Sequence, residues 1–461
     1  VPVPVSIQEL LDTQKVSYSI AHLDDRVSGL SPLQSQQRAC IVQSMLLQDA
    51  QGRVQVLLPM GTMIDLDALE QQTGRHFEGV NVDDLKPLMI QHEITSIPAV
   101  PRWQNMPTLV DESLLSNKYL WLNAGGNRDM LEISQEDFRS IVHSTEMAKL
   151  AIPVPSFSMD TENDEIQIFD SVKRFTQKRI RQRLDETLEL PPLPETAQRI
   201  IKLRADPNAD ISDLANIVEI DPSLAAQVVS WAASPYYSAP GKIKSVHDAI
   251  VRVLGFDMVL NLALGLALGK TLSMRTLSPA HITRYWRSAV YTAAAVEGLV
   301  TSIDRVHRPG FGMAYLSGLL NNFGYLLLAE IFPPYWTNIE RLSKANPHVP
   351  MAAIEQHLLG VTGNQASSWL MDNWNMPDEV VVALRQQHNP QYAGENAVYA
   401  KLVHVAHNML CNAGFGACIS RPIAPQIFEE LHLDAETARI TIENILESGI
   451  ELDAIADKMH G

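Results

Sequence analysis

Two adjacent amides, Asn321 and Asn322, sit in the middle of an otherwise apolar stretch, residues 315–330, YLSGLLNNFGYLLLAE. Leu316, Leu319, Leu320, Phe323 and Leu327 recur at helical spacing, which predicts one continuous helix packed in a core. Amides buried there need hydrogen-bond partners. They could lock one helix against another, or they could be an altered metal site. A cationic cluster is the next feature with chemistry in it: Lys173, Arg174, Lys178, Arg179, Arg181 and Arg183 crowd a predicted helix over 167–188. It could follow phosphates or an acidic partner, although a solvated face paired with the acidic remainder of the chain is the simpler reading. Residues 265–271, GLALGKT, imitate a phosphate-binding loop but place three residues between the glycines where four are required.

Composition narrows the classes. A chain of 461 residues is too long for one ordinary domain, and its 46% hydrophobic content can fill large cores. The formal charge of -17 argues against a dedicated nucleic-acid binder, which needs a basic field. Cys40, Cys411 and Cys418 make no disulfide framework and no paired-cysteine metal motif, which suits a reducing compartment. No leader and no apolar run long enough to span a bilayer is evident, so a cytoplasmic protein is expected.

The elements that must position such groups change character along the chain. Ser6 and Glu9 form a capping-box pattern ahead of Leu10 and Leu11 and predict an opening helix. Residues 39–47 and 54–58 predict a hairpin, and alternation through Tyr119, Trp121, Met130 and Ile133 across a glycine turn predicts a second. Short helices are expected over 65–73 and 83–91. Residues 152–164 are proline-bearing and acidic and read as a linker. From Leu190 onward the spacing is helical. Asp221-Pro222 and Ser245 with Asp248 mark helix starts, and helices are expected over 282–300, 314–331, 351–374, 378–387, 397–411 and 434–459. The organisation is therefore multidomain: an α+β domain over 1–150, a linker and charged connector helix over 151–188, an all-α domain over 189–411, and a helical extension over 412–461.

Taken in order, QSMLL, VQVLLP, IDLDALEQQTG, TLVDESL and LNAGGNRDMLEIS resemble the YbaK/ProX family of aminoacyl-tRNA deacylases. In that family a lysine opens the strand matched by QSMLL and is important for hydrolysis of mischarged tRNA. Here the position is Gln43, and the family's glycine- and serine-bearing loop before a proline is altered to Ser96-Ile97-Pro98. A neutral amide does not replace an ammonium group that holds or polarises the substrate ester, so the fold without the activity is expected.

The helical remainder resembles the HDOD family, the HD-related output domain of bacterial signalling proteins. The match runs through LPPLPETAQRIIKL, DISDLANIVEIDPSLAAQVVSWAASPYYS, IKSVHDAIVRVLG, YWRSAV, LSGLLNNFGYLLL, IEQHLLGVTGNQASSWLMDNWNMP and LRQQHNP. One departure is Ala233 with Ser234, where the family usually has asparagine before the serine. HD phosphohydrolases, related in fold, gather histidines and aspartates around metal ions that create a hydroxide nucleophile. The resemblance places Arg287 at the first histidine, Asn321-Asn322 at the His-Asp pair, Gly363 at a later histidine, Gln387-His388 at a histidine doublet, and His407 at the last aspartate. Only His388 keeps an expected ligand type. Neutral amides and a nearby guanidinium disfavour a divalent ion, each unit of repulsion at about 4 Å being on the order of 4 kcal/mol at an effective dielectric near 20. No metal or other cofactor is expected.

The same residues, Arg287, Asn321, Asn322, His388 and His407, could line a pocket for a small anionic ligand. The resemblances imply a non-catalytic signalling or scaffolding protein that binds a protein partner or such a ligand. Two enzymatic alternatives stand beside it: aminoacyl-tRNA editing by the first domain, and residual metal-dependent phosphohydrolysis by the second.

Overall fold

The computed structural model describes residues 3–22, 39–80, 82–126, 129–180, 192–238, 241–270, 272, 277–416 and 422–460. They form two compact units: Val1–Ser156 with Thr337–His357, and Phe157–Trp336 with Leu358–Gly461.

The first unit opens with α1 (Val5–Thr13), whose Ile7 and Leu11 are fully buried. Pro4 is its cap residue and Val5 its first helical one, so the helix begins ahead of Ser6, where the sequence pattern placed its start. β1 (Tyr18–His22) follows, then the hairpin of β2 (Ile41–Asp49) and β3 (Gly52–Pro59). The Asp49 carboxylate closes the hairpin turn by accepting from the Gln51 and Gly52 amides at 2.9 and 3.2 Å, and Gly52 supplies the positive φ of 131°. β4 (Thr62–Ile64) leads to α2 (Leu66–Thr73), capped by the Asp65 side chain at its start and by left-handed Gly74 at its end. β5 (Glu78–Gly79), α3 (Val82–Gln91), β6 (Thr108–Asp111), β7 (Tyr119–Asn123), β8 (Asp129–Ser134), α4 (Gln135–Val142), β9 (Glu146–Ala148) and β10 (Ala151–Pro153) complete the run.

The main sheet has the order β1-β8-β7-β2-β3-β6-β9, with β5 beside β2, while β10 pairs with β4. It is mixed: β2–β3 and β7–β8 are antiparallel hairpins, whereas β2–β7, β3–β6 and β6–β9 are parallel. Val42, Leu57, Val110, Leu120, Leu122 and Leu131 turn into one core with Trp103 and Phe138. The α+β expectation holds for this unit, hairpins included. Its turn residue Asn127 lies outside the described residues.

The second unit is helical. α5 (Asp164–Ile180) is the connector helix, and the remaining residues of the expected 167–188 span, Arg181 and Arg183 among them, lie outside the described residues. α6 (Glu195–Arg204), α7 (Ile211–Glu219), α8 (Pro222–Ala232), α9 (Val246–Ala249) and α10 (Phe256–Gly269) follow. Asp221 and Ser245 cap α8 and α9 as the sequence suggests. Residues 265–269 are the end of α10, with Gly265 against Leu319 and Gly269 against Trp286, and Thr271 lies outside the described residues. α11 (Pro279–Ser302) is the long central helix, and α12 (Phe311–Leu319) and α13 (Phe323–Ile331) come next.

The stretch 315–330 is therefore two helices, not one. The break falls at Leu320, Asn321 and Asn322, where asparagine is a poor helix former and Asn322 adopts φ -102°, ψ 15°. α14 (Pro333–Ala345) and α15 (Met351–Leu359), most of whose residues fall in Thr337–His357 of the first unit, precede α16 (Gly363–Asn373). The expected helix over 351–374 is interrupted at Gly360, whose φ is 78°, and restarts at a capping box between Thr362 and Gln365. α17 (Asp378–Gln386), α18 (Ala397–Asn412), α19 (Pro425–Glu430), α20 (Ala435–Glu447) and α21 (Gly449–Asp457) end the chain, the last two dividing the helix expected over 434–459 at Ser448. Among the described residues no helix is long and apolar enough to cross a membrane.

Candidate functional site

In the helical unit the resemblance points to the α12–α13 break. Asn321 is 5% exposed, and neither its Oδ1 nor its Nδ2 has a hydrogen-bond partner among the described residues. Its backbone carbonyl accepts from Gln387 Nε2 at 2.9 Å, and the Gln387 carbonyl meets a ring nitrogen of His404 at 2.9 Å. Asn322 donates to Ser288 Oγ on α11 at 2.6 Å. His388 and His407 stand edge to face with ring centroids 6.2 Å apart, and His407 Nε2 is 3.6 Å from Sγ of Cys411.

Arg287 precedes Ser288 on α11, but its guanidinium is committed elsewhere. Nε donates to Asp453 Oδ1 at 2.6 Å, and Cζ lies 5.4 Å from the Phe415 ring centroid. Tyr291 donates to the same carboxylate oxygen at 2.9 Å, and burial together with that neighbouring charge pushes its phenol up to about 12. The structure thus joins Asn321, Gln387 and His404 in one chain of contacts and Asn322 to Ser288, while the Arg287 head group faces Asp453.

A metal of the HD type does not fit these residues. Among the described residues no three His, Cys, Asp or Glu side chains are grouped to hold an ion. At the expected histidine, Gly363 opens α16 against Gly324 of α13. A Cβ on Gly324 would lie 2.4 Å from the Gly363 carbonyl, and one on Gly363 would lie 3.2 Å from the Gly324 backbone. Two helices meet there backbone to backbone, in space a ligand side chain would need.

Two buried polar clusters in this unit escaped the sequence reading. Asp164, the last residue of the supposed linker, is 6% exposed and pairs with Arg385, 3% exposed, through bonds of 2.5 and 3.0 Å. Arg385 also donates to the Ser158 and Asp160 carbonyls, and Gln365 donates to Asp164 and to Gln167. Both carboxylate oxygens and the Nε and Nη2 groups of the pair are thereby matched, which makes the buried charge tolerable, while Nη1 meets only the Met159 sulfur at 3.9 Å. The only sequence signal is an arginine set in the apolar spacing of Val380, Ala383 and Leu384. The other cluster surrounds Glu297 on α11, a half-buried residue whose carboxylate accepts from Tyr237 at 3.2 Å, with Trp231 donating to the same phenol at 3.1 Å. Burial raises the Glu297 carboxyl to about 7, partly offset by the Tyr237 hydrogen bond.

In the first unit, Gln43 projects from β2. Its Nε2 donates to the Pro59 and Thr62 carbonyls at 3.1 and 3.0 Å, and it lies 3.1 Å from Nε2 of His348. His348 Nε2 is 2.7 Å from the Thr62 carbonyl, so it carries the proton and donates there. Burial lowers the His348 pKa, with the Thr62 hydrogen bond acting the other way, which favours the neutral ring. Asn346 is fully buried and accepts from Ile64 N at 2.6 Å while its amide donates to Leu342 O at 3.0 Å. Ser96, in the altered loop, bonds the Asn123 side chain at 3.1 Å. Neither Asn346 nor His348 carries a sequence signal, because they lie 282 and 305 residues beyond Ile64 and Gln43.

Comparison with known proteins agrees with both resemblances. Residues 190–390 match the family model of the HDOD domain, and residues 30–141 match that of the aminoacyl-tRNA editing domain. A crystal structure of a Marinobacter aquaeolei VT8 protein assigned to signal transduction is 38% identical, covers 99% of this chain and 100% of its own, and superposes with a TM-score of 0.87. An HDOD domain protein of unknown function from Geobacter sulfurreducens shares the fold at 18% identity, over 63% of this chain and 97% of its own, with a TM-score of 0.50. An uncharacterized protein of Treponema pallidum (strain Nichols) is 20% identical over 280 residues, 59% of this chain and 52% of the relative, so the match spans about half of that relative. An editing-type mixed sheet followed by an HD-related helical unit is the class so defined. The chain belongs to the HDOD family, in the form that carries an aminoacyl-tRNA editing domain ahead of the HDOD domain.

Proposed function

We propose that the chain is a non-catalytic bacterial signal-transduction or scaffolding protein, acting in the cytoplasm, that binds a protein partner or a small anionic ligand through its degenerate HD-type unit. The observation that carries this reading is the concerted loss of ligand chemistry around the α12–α13 break. Arg287, Asn321, Asn322, Gly363, Gln387 and His407 stand where metal-binding groups are expected, and the Gly324–Gly363 contact fills space that a ligand side chain would need. Binding is supported by Asn321, whose amide is buried with both polar atoms free to take a partner. Arg287, Asn321, Asn322, His388 and His407 are the residues assigned to that role. In the first domain Gln43 supports the same conclusion, since its amide donors are spent on Pro59 and Thr62.

The test is made on the full chain purified without chelator. Substoichiometric transition metal, background hydrolysis of phosphodiesters and background release of amino acid from mischarged tRNA are expected. Stoichiometric metal with turnover, or deacylation above background, would overturn the non-catalytic reading. Thermal stabilisation by a phosphate compound, lost in Arg287→Ala, would identify the ligand as anionic. A partner crosslinked by the wild type and lost with Asn321→Leu would place protein binding at the same site.

A further inference from the structure

The segment Thr337–His357 lies within the residues that match the HDOD model, yet it belongs to the first compact unit. Its contacts converge on the strands around Gln43. Arg341 donates to the Phe77 carbonyl at 2.9 Å and pairs with Glu70. The Lys344 carbonyl presses on Gly79 of β5, where a Cβ would come within 1.9 Å of it. Asn346 takes the Ile64 amide on β4, whose register partner in the β10–β4 ladder is Ala151. His348 reaches the Thr62 carbonyl beside the Gln43 amide.

Two features distinguish this arrangement from ordinary core packing. First, it is imperfect where it meets Gln43. Both amide protons of Gln43 are given to carbonyls and His348 Nε2 gives its own proton to Thr62, so a donor faces a donor at 3.1 Å. His348 Nδ1 is left buried with no partner. A docked group that leaves hydrogen-bonding capacity unmet is held less tightly than its contact area suggests. Second, the seat is made by an absent side chain. Gly79 is paired to Leu47 of β2 in an ordinary strand, without positive φ, so what glycine provides there is space for the Lys344 backbone.

We infer that Thr337–His357 is a displaceable plug, seated on Gly79 and Ile64, that closes the editing-type site at Gln43, and that this site opens only when the segment withdraws. Closure is steric and polar at once: the imidazole of His348 occupies the space beside Gln43, and Asn346 occupies the Ile64 amide. Opening would return Gln43, Thr62 and Ile64 to solvent as a cluster of amide and carbonyl groups.

Gly79→Ala separates a plug from a structural strut, because alanine suits the strand and the three atoms nearest its Cβ all belong to the segment. Hydrogen exchange on the full chain is the readout. In Gly79→Ala, peptides from 337–357 and the Ile64 amide should exchange at least tenfold faster, while Ile41–Asp49, Gly52–Pro59 and Tyr119–Asn123 keep wild-type protection. Asn346→Ala should loosen the same peptides by a smaller factor. Gly126→Ala, where a Cβ meets nothing within 4 Å, should change neither region and serves as control. Unchanged exchange across 337–357 in Gly79→Ala would overturn the inference. Equal acceleration of the sheet strands would overturn it too, by making the segment part of the unit's core.

Discussion

Asn346 in the first unit and Asn321 in the second are both buried amides, and they differ in one respect that matters. Asn346 has its Oδ1 on the Ile64 amide and its Nδ2 on the Leu342 carbonyl, so it acts as a backbone surrogate. Asn321 buries the same group with both polar atoms unmatched. Each shares its unit with a position where a family relative would carry charge: Gln43 for the deacylase lysine, the Asn321-Asn322 pair for the His-Asp of HD enzymes. In the first unit the Ile64 amide and the Thr62 carbonyl are taken by Asn346 and His348. In the second, Asn321 retains hydrogen-bonding capacity that no described residue uses.

Four measurements would break or sharpen that contrast. The largest effect is expected at the buried ion pair: Arg385→Ala strands Asp164 in the interior and should cost about 3–5 kcal/mol by denaturant unfolding of the helical unit. A loss below about 1 kcal/mol would mean that water reaches the pair and that matching is not what holds α5. Next, Asn346→Leu should cost about 2–3 kcal/mol, because it orphans the Ile64 amide, and calorimetry of the first transition would report it. Glu297 supplies a charged counterpart. Its folded-state pKa of about 7 lies above the ordinary value of 4.5, so the folded state holds the proton more tightly, and stability should fall as pH rises from about 4.5 through 7. Glu297→Gln should remove that slope and be on the order of 2 kcal/mol more stable, relative to wild type, at pH 8 than at pH 4. Equal slopes in the two proteins would place the carboxylate in solvent. Smallest, and of opposite sign to Asn346→Leu, is Asn321→Leu, which should stabilise by about 1 kcal/mol by relieving an unmatched amide. Destabilisation there would show that Asn321 has a partner in solution, and would turn attention to what it binds.

Much of the fold can be read from residue patterns. The β2–β3 hairpin follows from apolar runs around an Asp-Ala-Gln-Gly turn, and α8 follows from Asp221-Pro222. What escapes the pattern does so for physical reasons. The apolar stripe of 315–330 continues in phase across Asn321-Asn322, so spacing alone does not reveal that α12 ends and α13 begins there. Acidic, proline-bearing sequence reads as linker whether or not one of its carboxylates meets an arginine, and Arg385 comes 221 residues after Asp164. The candidate site is legible only as a set of substitutions. That Arg287 answers to Asp453, 166 residues later, and that Asn346 and His348 serve the first unit are outcomes of tertiary packing, to which local propensity is blind.

The Gly324–Gly363 contact bears on how such a protein can change over generations. Because the backbones of α13 and α16 touch at these two positions, Gly363→His would force apart helices that now share a close-packed seam, and it would do so before any metal could reward it. Asn321 and Asn322 would still be neutral, so the first step back toward an ion site is uphill on its own. Any side chain introduced at Gly363 therefore carries a packing penalty of its own, whatever it is meant to bind.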